Sequence, residues 1–152
     1  MLKDRDLSSL NEASTLGAMS EASILWLLQH GKIHSVSKGE NIFSQGQPGN
    51  SFHVILGGQV SYYKYHNGRY SYIRNYKPGE EIGFVSMIAL HERVGRAEAS
   101  QDTITLEIDS TLFHDFHDRE PLEFGILMMN LAREMARTIT TFGNLLAERD
   151  SG

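Results

Sequence analysis

Apolar Ile24, Leu27 and Leu28 recur at helical spacing between Ser20 and Gly31, which predicts a short helix with one buried stripe. Ser20 is placed to cap it, Glu21 suits the positive end of its dipole, and Gly31 marks its stop. An earlier helix is expected over about 5–18. From Lys32 the period changes. Ile33-His-Ser-Val36 alternates, and Phe52-His-Val-Ile-Leu56 reads as a buried strand broken by Gly57-Gly58. Val60 to His66 and Arg69 to Tyr76 flank Asn67-Gly68, the strongest short hairpin signal. Further strands are expected from Ile42-Phe43, over 96–100 and over 103–109, with a helical turn or two at 83–90. Turns are expected at Lys38-Gly39-Glu40, Gln45 to Asn50 and Lys77-Pro-Gly79. Many short strands without strand–helix alternation imply an antiparallel sandwich or barrel and exclude a doubly wound nucleotide fold.

After Ser110 the pattern is helical again, with a short helix over about 110–117 and a long one from Pro121 to about Glu148. Phe124, Met128, Leu131, Met135, Thr138, Phe142 and Leu145 are spaced 4, 3, 4, 3, 4, 3, the repeat of a coiled-coil seam. At 1.5 Å per residue the helix is about 42 Å long, more than one small domain needs to cover itself. The seam therefore either packs on its own barrel or pairs with a second copy.

Composition narrows the class. With 152 residues, 40% hydrophobic and 22% charged, the chain is expected to form a single domain with one good core. Its zones are about 5–31 (N-terminal helices), 32–109 (strands) and 110–148 (C-terminal helices). The absence of cysteine excludes disulfides, thiolate metal sites and a cysteine nucleophile. No signal peptide and no apolar run of spanning length is read, so the expected location is cytoplasmic, with no membrane partner. A net charge of −5 argues against a surface built for phosphate backbones.

The run Gly39-Glu-Asn-Ile-Phe-Ser-Gln-Gly46-Gln-Pro-Gly49-Asn-Ser-Phe-His-Val-Ile-Leu-Gly-Gly58-Gln-Val60 resembles the cyclic-nucleotide-binding domain family. Lys77-Pro-Gly79-Glu-Glu-Ile-Gly83 is similar to the approach to that family's phosphate cassette, and Ile126 to Arg137 to the dimer helix of bacterial catabolite activator proteins. The resemblance implies a mainly β fold, an antiparallel β-roll of jelly-roll or cupin-like type, with N-terminal helices and a long C-terminal helix. It implies cyclic AMP or cyclic GMP as ligand, with no other cofactor. It places ligand contacts at Ile73, Gly83, Phe84, Val85, Arg93, Val94 and Gly95, and its dimer helix carries the heptad positions above.

A cyclic phosphodiester needs donors without bulky neighbours, which Gly83, a short helix behind it and the bidentate Arg93 would supply. Two departures alter this. Phe84 stands where the family has a glutamate for the ribose 2′-hydroxyl, and Val94 brings no hydroxyl for the phosphate. Losing one charge-assisted hydrogen bond forfeits about 1.5–3 kcal/mol. The site is thus a weakened nucleotide pocket, a pocket for another ligand, or a pseudo-site plugged by Phe84. On the base side, Phe142 and Gly143 take the aligned positions, with Thr140 and Thr141 nearby.

The six tyrosines from Tyr62 to Tyr76 are interleaved with Lys64, Arg69 and Arg74; they read as hairpin pairs rather than as a stacking surface for nucleic acid. His114 and His117 share a helical face with Asp118 but have no third ligand nearby, and no His-x-His strand of the cupin metal type occurs. Cupin-type metalloenzyme chemistry is the least favoured reading. The expected function is a non-enzymatic regulatory module in signal transduction, a homodimer acting on a separate, unidentified effector. The alternative is a ligand-free interaction module. Activator relatives place a helix-turn-helix after the long helix; with the chain ending at Gly152, no DNA binding of that kind is expected.

Overall fold

The computed structural model describes residues 14–151. The helix anticipated over about 5–18 lies largely outside them; residues 14–18 form a turn. Helix α1 (Glu21–His30) begins at Ser20, whose side chain accepts from the Ser23 N–H, and ends at Gly31.

Eight strands follow: β1 (Lys32–Val36), β2 (Asn41–Phe43), β3 (Ser51–Gly57), β4 (Val60–His66), β5 (Arg69–Tyr76), β6 (Glu81–Ile82), β7 (Gly95–Ala99) and β8 (Thr103–Asp109). They form two antiparallel four-stranded sheets, ordered β1-β8-β3-β6 and β2-β7-β4-β5. The β4–β5 hairpin closes with His66 opposite Arg69. Its turn residues Asn67 and Gly68 have φ of 51° and 77°, the left-handed pair a two-residue hairpin demands. Tyr63 meets Tyr72 and Tyr65 meets Tyr70 across it, with ring centroids 5.8 and 5.2 Å apart. The tyrosine cluster is therefore a cross-strand ladder.

Strand alternation divides the core. Ile55, Val60, Ile82, Ala97 and Phe43 fill the roll between the sheets. Phe52 and Val54 of β3, with Leu106 and Ile108 of β8, face outward onto a helical layer. That layer comprises α1, α2 (Phe84–Ala89), α3 (Ser110–Arg119) and α4 (Pro121–Ser151). Asp109 caps α3 by accepting from the Leu112 N–H at 2.8 Å, which turns the chain directly from β8 into the layer.

Of the heptad stripe on α4, Leu131 is fully buried in the protomer's own core, with Phe124, Met128 and Met135 packed against that core. Beyond Met135, Phe142 and Leu145 are exposed. Neighbouring Leu127, outside the stripe, is also fully buried, because a stripe that must cover a twisted sheet is broader than a two-helix seam.

Candidate functional site

A cavity of about 330 Å³ opens between the roll and the C-terminal half of α4. Phe43, Tyr62, Lys64, Ile73, Arg74 and Tyr76 line it from β2, β4 and β5. Residues Glu81 to Gly83, Val85, Ser86 and Val94 come from the cassette, and Thr138 and Phe142 from α4. Of the residues singled out in the sequence, Ile73, Gly83, Val85 and Val94 meet in this wall. Phe84, Arg93 and Gly95 do not. Thr140 and Thr141 are exposed and donate back to the Ala136 and Arg137 carbonyls of their own helix.

Phe84 corrects an expectation. Its ring is fully buried in the helical layer, edge-on to Phe52 and Phe113 with centroids 5.5 and 5.9 Å away. It is no plug, and it takes no space in the cavity. The reason lies in α2, where Phe84 and Met87 share the core-facing side one turn apart while Val85 and Ile88 are exposed.

Gly83 sits at φ 103°, and a Cβ there would lie 2.7 Å from Arg93 Nη1, so only glycine allows the turn and the close arginine. Arg93 is 3% exposed and lies directly behind that turn. Its Nη1 donates to the Gly83 carbonyl at 2.8 Å, and its Nη2 to the Ser51 carbonyl at 2.6 Å and to Ser51 Oγ at 3.2 Å. The guanidinium covers the Phe43 ring at 4.3 Å. Arg93 thus ties the cassette turn to β3. Gly95 is needed for sheet pairing: a Cβ would stand 2.3 Å from the Tyr63 carbonyl oxygen.

Glu81 was not singled out in the sequence. It is 8% exposed, lines the cavity, and accepts from the Phe84 N–H at 3.1 Å. Burial, reinforced by Glu134 of α4, pushes its carboxyl up to about 8, so it is largely protonated at neutral pH. The available signal was the pair Glu80-Glu81 entering a strand, where one of two adjacent residues must turn inward. Glu80 turns outward and pairs with Arg74, which also covers the Tyr76 ring. Burial raises the Tyr76 hydroxyl to about 12 and raises that of Tyr62, so both are neutral donors.

A second polar group adjoins Arg93 through Ser51. Glu107 is bonded by Ser51 Oγ at 2.7 Å and His34 Nε2 at 2.9 Å, with His53 Nε2 3.6 Å away. Burial would raise the Glu107 carboxyl, but these hydrogen bonds and the histidines hold it below its usual range. Burial lowers His53 to about 4 against the pull of Glu107, so His53 is neutral. Among the described residues no histidine–carboxylate group is arranged to hold a metal ion; His114 and His117 are exposed.

The cavity has apolar walls, several neutral hydroxyls, the cations Lys64 and Arg74, and one buried carboxyl, Glu81. An antiparallel roll with a glycine-turn cassette, closed by a long C-terminal helix, is the β-roll fold of cyclic nucleotide-binding domains. The chain belongs to the cyclic nucleotide-binding domain family, which matches residues 33–120. Among solved structures it is similar to the catabolite activator protein of Thermus thermophilus (24% identity, TM-score 0.76), covering 89% of this chain and 62% of that one. It is similar to a cyclic nucleotide-binding domain from Methylobacillus flagellatus (20% identity, TM-score 0.80, 95% and 83% covered). A third is the N-terminal domain of a transcriptional regulator from Streptomyces coelicolor (20% identity, TM-score 0.72, 85% and 93% covered). At these identities the likeness is one of fold. The chain spans 62% of the length of the Thermus protein. No curated protein matches it in sequence. No helix among the described residues is long and apolar enough to cross a membrane.

Proposed function

We propose that this chain is a non-catalytic sensor that binds cyclic AMP or cyclic GMP in the roll and passes the bound state through α4 to a separate effector. The observation that carries this reading is the cavity itself. At about 330 Å³ it is within the range of small-ligand pockets, it lies at the cassette of a cyclic nucleotide-binding domain, and α4 forms one of its walls through Thr138 and Phe142. A ligand there changes the docking of α4 in proportion to its preference for one helix position. Isothermal titration with cyclic AMP and cyclic GMP tests the reading. Heat of binding with a rise in melting temperature supports it; neither response at millimolar nucleotide overturns it.

The reading includes a homodimer through α4. The stripe chosen from the sequence is largely consumed by the protomer's own core. A second stripe, Met129, Ala132, Ala136, Ile139, Gly143 and Leu146, is spaced 3, 4, 3, 4, 3 and exposed throughout. Small residues between larger ones suit two helices crossing closely, and a second copy of α4 offers the matching surface.

A further inference from the structure

The geometry points to Glu81 as the specificity-determining group of the cavity, its carboxyl hydrogen-bonding a neutral polar group of the ligand. This rests on the cyclic nucleotide reading, in which that group is a sugar hydroxyl or the amine-bearing edge of the base.

Glu81 is more than nine-tenths buried in a wall it shares with Ile82, Gly83 and Ser86. Among the described residues its carboxyl makes one hydrogen bond, from the Phe84 N–H to Oε2. Nearby cations do not neutralise it: Arg74 is paired with Glu80, and both Arg93 Nη atoms are held by Gly83 and Ser51. The nearest charge on α4 is another carboxylate, Glu134, itself held by Thr15 Oγ1 at 3.0 Å.

A buried carboxyl without a cation is expensive, and an apolar side chain of similar volume would be cheaper. A group kept at that cost in a cavity wall is a candidate ligand contact. Its chemistry decides what it reads. A carboxyl neighboured by Glu134 offers an anion no counter-charge, so the charged end of the ligand is expected to be met by Lys64, which also lines the cavity. The end facing Glu81 is neutral and polar. With Oε2 occupied by the Phe84 N–H, Oε1 is the atom left to bond it.

The test compares cyclic AMP and cyclic GMP with their 2′-deoxy analogues and with cyclic IMP, which lacks the amine. Each is titrated into the wild type, Glu81→Leu and Glu81→Gln. The wild type is expected to bind one class of analogue about tenfold more weakly than its parent. In Glu81→Leu, parent and analogue are expected to bind within about twofold. Glu81→Gln keeps the side-chain volume, an oxygen for the Phe84 N–H and a neutral donor toward the cavity. It is expected to keep the discrimination that Glu81→Leu loses, and it separates loss of the hydrogen bond from a folding defect. A wild type that binds nucleotide without penalty for any analogue, or a penalty that persists in Glu81→Leu, overturns the role of Glu81 and leaves the binding reading standing. Absence of binding by every nucleotide overturns the binding reading, and the role of Glu81 with it.

Discussion

The ring of Phe84 meets that of Phe52 edge-on, 5.5 Å between centroids and 87° between planes. This contact makes Phe84 part of the joint between roll and helices. Phe84→Ala is expected to lower unfolding free energy by about 3–5 kcal/mol. Phe84→Glu, the change that would restore the family's glutamate, is expected to cost more, because it buries a carboxylate among aromatic rings. Urea denaturation of both variants checks this; a Phe84→Glu protein as stable as wild type would show that the ring is not a core residue.

Arg93 joins Gly83 to Ser51, which lies 42 positions earlier in the chain than Arg93 itself. Arg93→Ala leaves two carbonyl acceptors and Ser51 Oγ without this donor, a loss expected at about 1–3 kcal/mol. Arg93→Lys recovers only part of it, since an ammonium cannot reproduce the planar fork. The order wild type, Lys, Ala in denaturation midpoint is the expected result, and equal midpoints for Arg93→Ala and wild type would contradict it.

Stability is expected to fall on the alkaline side of neutrality. Folding raises Glu81 from its ordinary 4.5 to about 8. Between these values the folded state holds a proton that the unfolded state has released, so stability declines as pH rises through the window. Burial also raises Glu134, which adds to the same slope. His53 works in the opposite direction: lowered from 6.5 to about 4, it makes stability rise with pH between those values. The two effects oppose each other up to about pH 6.5 and the carboxyl effect stands alone from there to about 8. Melting temperature should drop from pH 6.5 to 8.5, with a smaller drop in Glu81→Gln. Parallel curves for the two proteins would rule out Glu81 as the source.

The two stripes of α4 should separate by experiment. Leu131→Ala, in the protomer's core, is expected to cost about 2–5 kcal/mol without shifting self-association at temperatures where it remains folded. Ile139→Glu, on the exposed stripe, is expected to leave the melting temperature of the domain near that of wild type and move sedimentation from dimer toward monomer. If the wild type sediments as a monomer at tens of micromolar, the α4 dimer is excluded.

Much of the architecture is legible from near neighbours in the chain. Ser20 caps the helix it precedes, Pro121 opens the last one, and Asn67-Gly68 closes a hairpin whose strands have the expected bounds. Each signal acts over a few residues through dihedral preference or a local hydrogen bond, so it survives without knowledge of the rest. The cassette turn belongs with them, because Gly83 announces a conformation that other residues rarely adopt. What the side chains around that turn face was decided elsewhere. Phe84 enters the core because Phe52 and Phe113 leave a place for it, Arg93 is spent on Ser51, and Glu81 is buried because Glu134 and its helix cover that edge. The heptad on α4 is real as a pattern, yet a pattern names a face without naming what covers it. Periodicity is a property of one element, whereas burial and electrostatics depend on contacts between residues far apart in the chain, and those exist only once the roll has closed against its helices.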